Sequence, residues 1–169
     1  SYFEAKARLF DGLDPDAVAV LAADDPRSDA LRARTRARVT TFGRSPSADV
    51  RLVDETCGLD GSSAVLVAGK NRLAVRTPLP GRYNLLNVAA AAACAIGVGL
   101  PARAIAEGVL ALRRIPGRMD RVDAGQPFSV IVDFAHTEQA LERLLEAVAE
   151  IARGRTLLVF GCGGERDRS

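Results

Sequence analysis

Short apolar runs bounded by turn residues alternate with stretches of helical spacing along most of the chain. Residues 2–10 carry the spacing of an amphipathic helix, closed near Gly12 and Pro15. Residues 17–22 are continuously apolar and of strand length, as in a strand covered on both faces. Asp25-Pro26 offers an N-cap followed by proline at the first helical position, which predicts a helix carrying Arg32, Arg34, Arg36 and Arg38. Residues 39–42 read as the next strand. Residues 50–53, 63–68 and 73–77 alternate or run apolar between the turns Gly58-Leu59-Asp60-Gly61 and Gly69-Lys70-Asn71, which predicts an antiparallel meander. Residues 84–96 are rich in alanine and nearly uncharged, the pattern of a helix packed on several sides. Gly97 and Gly99 end it, and Pro101 opens a further helix with Ile105, Val109 and Leu112 on one stripe.

Arg113-Arg114-Ile115-Pro116-Gly117 reads as a linker and places a boundary between residues 1–115 and 116–169. Past it, residues 128–134 predict a strand and residues 137–153 a helix. That helix has Leu141, Leu144, Leu145, Val148 and Ile151 on one face and Glu138 and Glu142 near its start. Residues 156–160 predict a second strand, so the segment reads as a βαβ unit opening a parallel sheet. The class is α/β.

With 48% hydrophobic and 26% charged residues the chain can fill a core, but at 5% aromatics and no Trp that core must rest on aliphatic side chains. The 23 basic and 21 acidic residues leave a net charge of +2, too weak a field to imply nucleic acid, and the arginine run reads as a solvated helix face. The longest apolar run, residues 88–98, is too short to span a bilayer. Cys57, Cys94 and Cys162 form no CxxC pair, which speaks against a disulfide framework or zinc site and for a reducing, cytoplasmic setting. The first residues read as the middle of a helix and the last follow a glycine loop, as expected of an excerpt of a longer chain.

Four places carry candidate chemistry. In Gly81-Arg82-Tyr83-Asn84-Leu85-Leu86-Asn87, the amides of Asn84 and Asn87 lie one helical turn apart and suit a purine edge. Asn84 is equally suited to capping the helix, and Asn87 to being a plain polar residue. Arg118, on the boundary, has the forked geometry that matches phosphate, or is an ordinary solvated linker residue. In Asp133-Phe134-Ala135-His136-Thr137 a strand gives way to a helix, the place where open α/β sheets hold ligands. Asp133 there suits ribose hydroxyls, and His136, the only histidine, suits binding or a structural role. Gly161-Cys162-Gly163-Gly164-Glu165-Arg166-Asp167 offers backbone amides and a cation to an anion. The phosphate loop GxxxxGK followed by Ser or Thr occurs nowhere in the sequence.

In order, residues 2–10, residues 81–87, Pro116-Gly117-Arg118-Met119, residues 133–137 and residues 160–168 resemble the Mur ligases of peptidoglycan synthesis. The resemblance is greatest to the branch that adds meso-diaminopimelate to UDP-N-acetylmuramoyl-L-alanyl-D-glutamate. It implies the later part of a central ATPase domain, a parallel sheet with small antiparallel strands, followed by the start of a Rossmann-like C-terminal domain. It implies ATP and Mg2+, and as partners a UDP-N-acetylmuramoyl-dipeptide and meso-diaminopimelate, with no nucleic acid or membrane. Lys6 is similar to the family's carbamylated lysine, whose added carbon dioxide turns a cation into a carboxylate able to ligate magnesium. By the same resemblance Asn84, Asn87 and His136 belong to the nucleotide site, Arg118 reaches the phosphates, Asp133 holds the ribose and Arg166 pairs with a carboxylate of diaminopimelate. The implied reaction runs through an acyl phosphate, and the chain alone is expected to be inactive. Phe134, Glu138, Glu165 and Ser169 depart from the family's usual Tyr, Pro, Asp and Gly. A lysine-adding ligase, a folylpolyglutamate synthase relative and a non-catalytic gene remnant are the alternatives.

Overall fold

The computed structural model describes residues 2–161. Helix α1 (Tyr2–Asp11) precedes strand β1 (Val18–Ala22), the short helix α2 (Ser28–Arg32) and strand β2 (Arg38–Gly43). Strands β3 (Val50–Gly58), β4 (Gly61–Ala68) and β5 (Asn71–Thr77) follow, then helices α3 (Arg82–Gly97) and α4 (Ala102–Ala111). The chain continues as β6 (Asp120–Val122), β7 (Val130–Val132) and helix α5 (Glu138–Ile151).

Strands β1 to β5 form one sheet in chain order. β1, β2 and β3 run parallel, while β3, β4 and β5 form the antiparallel meander. In both parts buried positions alternate with partly exposed ones, in β1 as in β4, so one face is sealed and the other is covered only in part. The sealed face meets α3. Leu52, Leu66 and Val75 from the sheet pack with Leu85, Val88, Ala89, Ala92 and Ala93 of the helix and Ile105 of α4. The alanines explain the close fit, since a helix side without long side chains approaches a sheet closely.

Tight turns hold this sheet. Gly61 has φ +127, and a Cβ there would strike the carbonyl oxygen of Thr77. Asp24, just after β1, accepts from the backbone N–H of Arg44 (2.7 Å) and Ser45 (2.9 Å), tying the carboxyl ends of β1 and β2. A bulge in β3 between Val53 and Thr56, with Asp54 at φ 55, turns Glu55 toward Arg44. Arg44 bonds both Glu55 oxygens (2.7 and 2.8 Å) and donates to the carbonyl of Arg82 at 3.1 Å. The bonds to Glu55 hold its guanidinium above the ordinary arginine range.

Two expectations are corrected. The arginine-bearing helix is only α2. Asp25 accepts from the Arg27 N–H at 2.9 Å, the helix ends at Arg32, and Arg38 already belongs to β2. The βαβ unit is absent among the described residues: β7 covers three residues and pairs antiparallel with β6, and residues 156–160 join no strand. Apolar composition marks a segment able to pair but names no partner, and the hairpin β6–β7 offered a nearer one. No helix among the described residues is long and apolar enough to cross a membrane.

Candidate nucleotide site

The turn Ile115-Pro116-Gly117-Arg118 is closed by the Arg118 N–H donating to the Ile115 carbonyl at 3.0 Å. Proline presets the second position of such a turn, and Gly117, at φ 70, takes the left-handed third. The Gly117 carbonyl accepts from the Phe134 N–H at 2.8 Å, which fixes the turn beside the end of β7. Arg118 thus emerges with its guanidinium 5.9 Å from the Phe134 ring centre. Met119 is fully buried at φ 45, a backbone conformation costly for a non-glycine residue, and its N–H points at Asp133.

Asp133 accepts three hydrogen bonds. Its Oδ2 takes the Met119 N–H at 2.8 Å and the Tyr83 hydroxyl at 3.3 Å, and its Oδ1 takes the Ala135 N–H at 2.8 Å. The last bond is a local Asx-type turn, the usual means by which an aspartate bends its own chain. His136 Nδ1 lies 2.7 Å from the Phe134 carbonyl, and its ring meets Phe134 edge-on at 4.8 Å. Thr137 then caps α5, its hydroxyl oxygen accepting from the Ala140 N–H at 3.3 Å.

Arg118, Asp133, His136, Tyr83 and Arg143 line one open cavity of about 410 Å³, together with the first residues of α5. That size lies within the usual span of small-molecule sites, about 300–1,000 Å³. Two guanidiniums, an imidazole and a helix N-terminus favour an anionic ligand there, and the Oδ1 of Asp133 supplies one acceptor for a hydroxyl. Neither Arg118 nor Arg143 pairs with a carboxylate among the described residues. Burial, reinforced by the charge of Asp133 and the hydrogen bond to it, pushes the Tyr83 phenol well above the ordinary tyrosine range, while Arg118 opposes the shift. A second cavity of about 450 Å³, between β4, β5 and α4, is lined mainly by aliphatic side chains and by charges of both signs.

Of the residues singled out by the sequence, Arg118, Asp133 and His136 meet in this cavity. Asn84 does not line it. It lies 1% exposed in the first turn of α3 with its amide donating to the Pro80 carbonyl at 2.8 Å. It is therefore not the helix cap, a place taken by Gly81 at φ 91, and its remaining oxygen accepts from Asn87 at 3.4 Å. Asn87 itself is exposed. Lys6 is exposed on α1, its ammonium 4.6 Å from the centre of the Tyr2 ring, and does not line the cavity. Arg166 lies outside the described residues. Tyr83 and Arg143 escaped the sequence reading. Tyr83 stands inside the Gly81–Asn87 motif, where only the two amides carried a signal, and Arg143 sits within α5 with no motif around it.

The profile of the Mur ligase middle domain matches residues 1–95, and that of the Mur ligase glutamate ligase domain matches residues 117–169. A UDP-N-acetylmuramoyl-L-alanyl-D-glutamate–2,6-diaminopimelate ligase of Geobacter metallireducens is 45% identical, covering 99% of this chain and 34% of its own. A solved structure of an enzyme of that name is 33% identical with a TM-score of 0.74, covering 99% of this chain and 35% of that one. A MurF ligase from Thermotoga maritima in complex with ADP shares the fold at 20% identity and a TM-score of 0.72, covering 86% of this chain and 34% of that one. The chain thus spans about a third of the length of the relatives it matches.

Proposed function

Because the chain belongs to the Mur ligase family, we propose that it is part of an ATP-dependent ligase joining meso-diaminopimelate to UDP-N-acetylmuramoyl-L-alanyl-D-glutamate. The convergence of Arg118, Asp133 and His136 in one anion-favouring cavity carries this reading. The 45% identity to a diaminopimelate ligase supports the choice of substrates. In this reading ATP activates the glutamate-derived carboxylate as an acyl phosphate, and the amine of diaminopimelate displaces phosphate. Arg118 and Arg143 offset the charge of the nucleotide phosphates, and Asp133 accepts a ribose hydroxyl through Oδ1. Asn87, exposed one turn into α3, is the amide left to face the base, and Arg166 is assigned to a carboxylate of diaminopimelate. The boundary between the two domains falls at residues 115 and 116, within the Pro116-Gly117 turn.

Among the described residues no group of three or more His, Cys, Asp or Glu side chains can hold a metal ion. Lys6 becomes a ligand only if carbamylated, so the described side chains do not by themselves fit magnesium.

The test is a chimera in which these residues replace the matching third of a diaminopimelate ligase. It is expected to form the tripeptide product from diaminopimelate; a folded chimera that forms no product overturns the reading, and product from lysine alone transfers it to a lysine-adding ligase. By itself the chain, whose sequence contains no phosphate loop, is expected to bind ATP more weakly than micromolar and to turn nothing over. A submicromolar dissociation constant by calorimetry, about −8 kcal/mol or tighter, would contradict that.

A further inference from the structure

We propose that Tyr83 is a positioning residue for the nucleotide ribose: its hydroxyl, delivered by α3 from across the boundary, sets the direction in which Asp133 accepts a ligand hydroxyl. The inference rests on the ribose role given to Asp133 above and adds a residue that does not belong to the carboxyl-terminal region at all.

An ionised carboxylate has about four lone-pair sites. In Asp133 two lie on Oδ2, filled by the Met119 N–H and the Tyr83 hydroxyl, and one on Oδ1 is filled by the Ala135 N–H. One acceptor site on Oδ1 is left. Removing the Tyr83 hydroxyl opens a second site on Oδ2 and frees the carboxylate to turn, so that the ligand meets two mediocre acceptors instead of one directed one.

The tyrosine is itself held from three sides. Arg82, its neighbour, gives its carbonyl to Arg44 at 3.1 Å and its guanidinium to Glu150 of α5 at 2.8 Å. Asn84, on the other side, is fastened to Pro80 at 2.8 Å. The ring edge lies 3.6 Å from the point where a Cβ on Gly81 would sit, and Met119 and Ala147 close the same space at 3.7 and 3.8 Å. A side chain so fixed imposes a direction on its partner. Its phenol keeps its proton well beyond neutral pH, so it acts as a donor toward the carboxylate throughout the working range.

The test compares ATP with 2′,3′-dideoxy-ATP on the full 169-residue chain, by NMR titration, which follows millimolar binding. The native chain is expected to prefer ATP. Tyr83→Phe, which keeps the ring and its packing, is expected to lower that preference about threefold to tenfold, by weakening ATP and leaving the dideoxy nucleotide unchanged. Asp133→Asn should abolish the preference, and the double variant should be no worse than Asp133→Asn alone. Equal weakening of both nucleotides by Tyr83→Phe, or an unchanged preference, overturns the positioning role while leaving the ribose role of Asp133 intact. A native chain that binds neither nucleotide, or does not distinguish them, overturns the ribose reading and this inference with it.

Discussion

Between residues 18 and 111, side chains such as Leu66, Leu85, Ala89 and Ala93 are sealed almost completely between the sheet and α3. Between residues 116 and 161 the deeply buried side chains are Met119, Asp120, Ala147 and Ile151, while Leu157, Val159 and Phe160 stand 75%, 97% and 65% exposed. The first region is held by packing. The second is held by a turn, an Asx bend, a helix cap and three bridges to the first: Tyr83 to Asp133, Arg82 to Glu150 and Arg121 to Asp60. The cavity is built mainly from the second region, so its lining groups are placed by short-range hydrogen bonds and by a single helix end reaching over from the packed side. Precision in a site can thus come from local chain chemistry, without a large core beneath it.

Matched substitutions in the two regions sharpen this contrast. Gly61→Ala sets a methyl against the Thr77 backbone at φ +127 and is expected to cost about 4 kcal/mol in urea unfolding. Gly125→Ala, at φ +81 in open space, should cost about 1 kcal/mol. Leu85→Ala, at a position with no exposed surface, is expected to cost about 3 kcal/mol, against about 0.5 kcal/mol for Leu145→Ala on the half-open face of α5. Equal losses in either pair would break the distinction between a packed and a locally held region.

Alkaline pH probes the bridge itself. The Tyr83 phenol is raised above its unfolded value, so the stability it contributes is whole below about pH 10 and declines as pH climbs and the unfolded chain ionises first. Allowing for the ring's partial exposure, the loss at pH 11 is roughly 0.5–1 kcal/mol, and Tyr83→Phe should show a correspondingly flatter decline in its urea midpoint. The smallest effect is expected for Arg82→Ala. The Arg82–Glu150 pair is half exposed, and its removal should cost about 0.5 kcal/mol or less, vanishing in 1 M salt. A salt-independent loss above 1 kcal/mol would make that bridge a structural support of the carboxyl-terminal region.

The same division governs what the sequence discloses. The meander, α3 and α4 were legible because Gly58 to Gly61, Gly97, Gly99 and Pro101 punctuate strong periodicity, and core packing enforces what periodicity suggests. Arg118, Asp133 and His136 were legible because each sits in a turn whose chemistry is written in adjacent residues. Strand partners were not. Nothing in residues 128–134 says that β7 will lie antiparallel to β6, whose own three residues gave no signal. That Gly81 and not Asn84 caps α3 was not legible, because the positive φ of that glycine cannot be seen in the letters. Tyr83 was missed because its partner lies 50 residues away.

The unbroken alanines of α3 act as a spacer. Ala89 and Ala93 are wholly buried, so the sheet sits as near the helix axis as side chains allow. Since a helix moves as a rod, its height above the sheet is passed along to its first turn, where Tyr83 meets the other half of the molecule. A larger side chain at Ala93 is expected to push helix and sheet apart, since a filled core has no room for added methyl groups. In this fold the smallest side chains of the core gauge the distance across which Tyr83 meets Asp133.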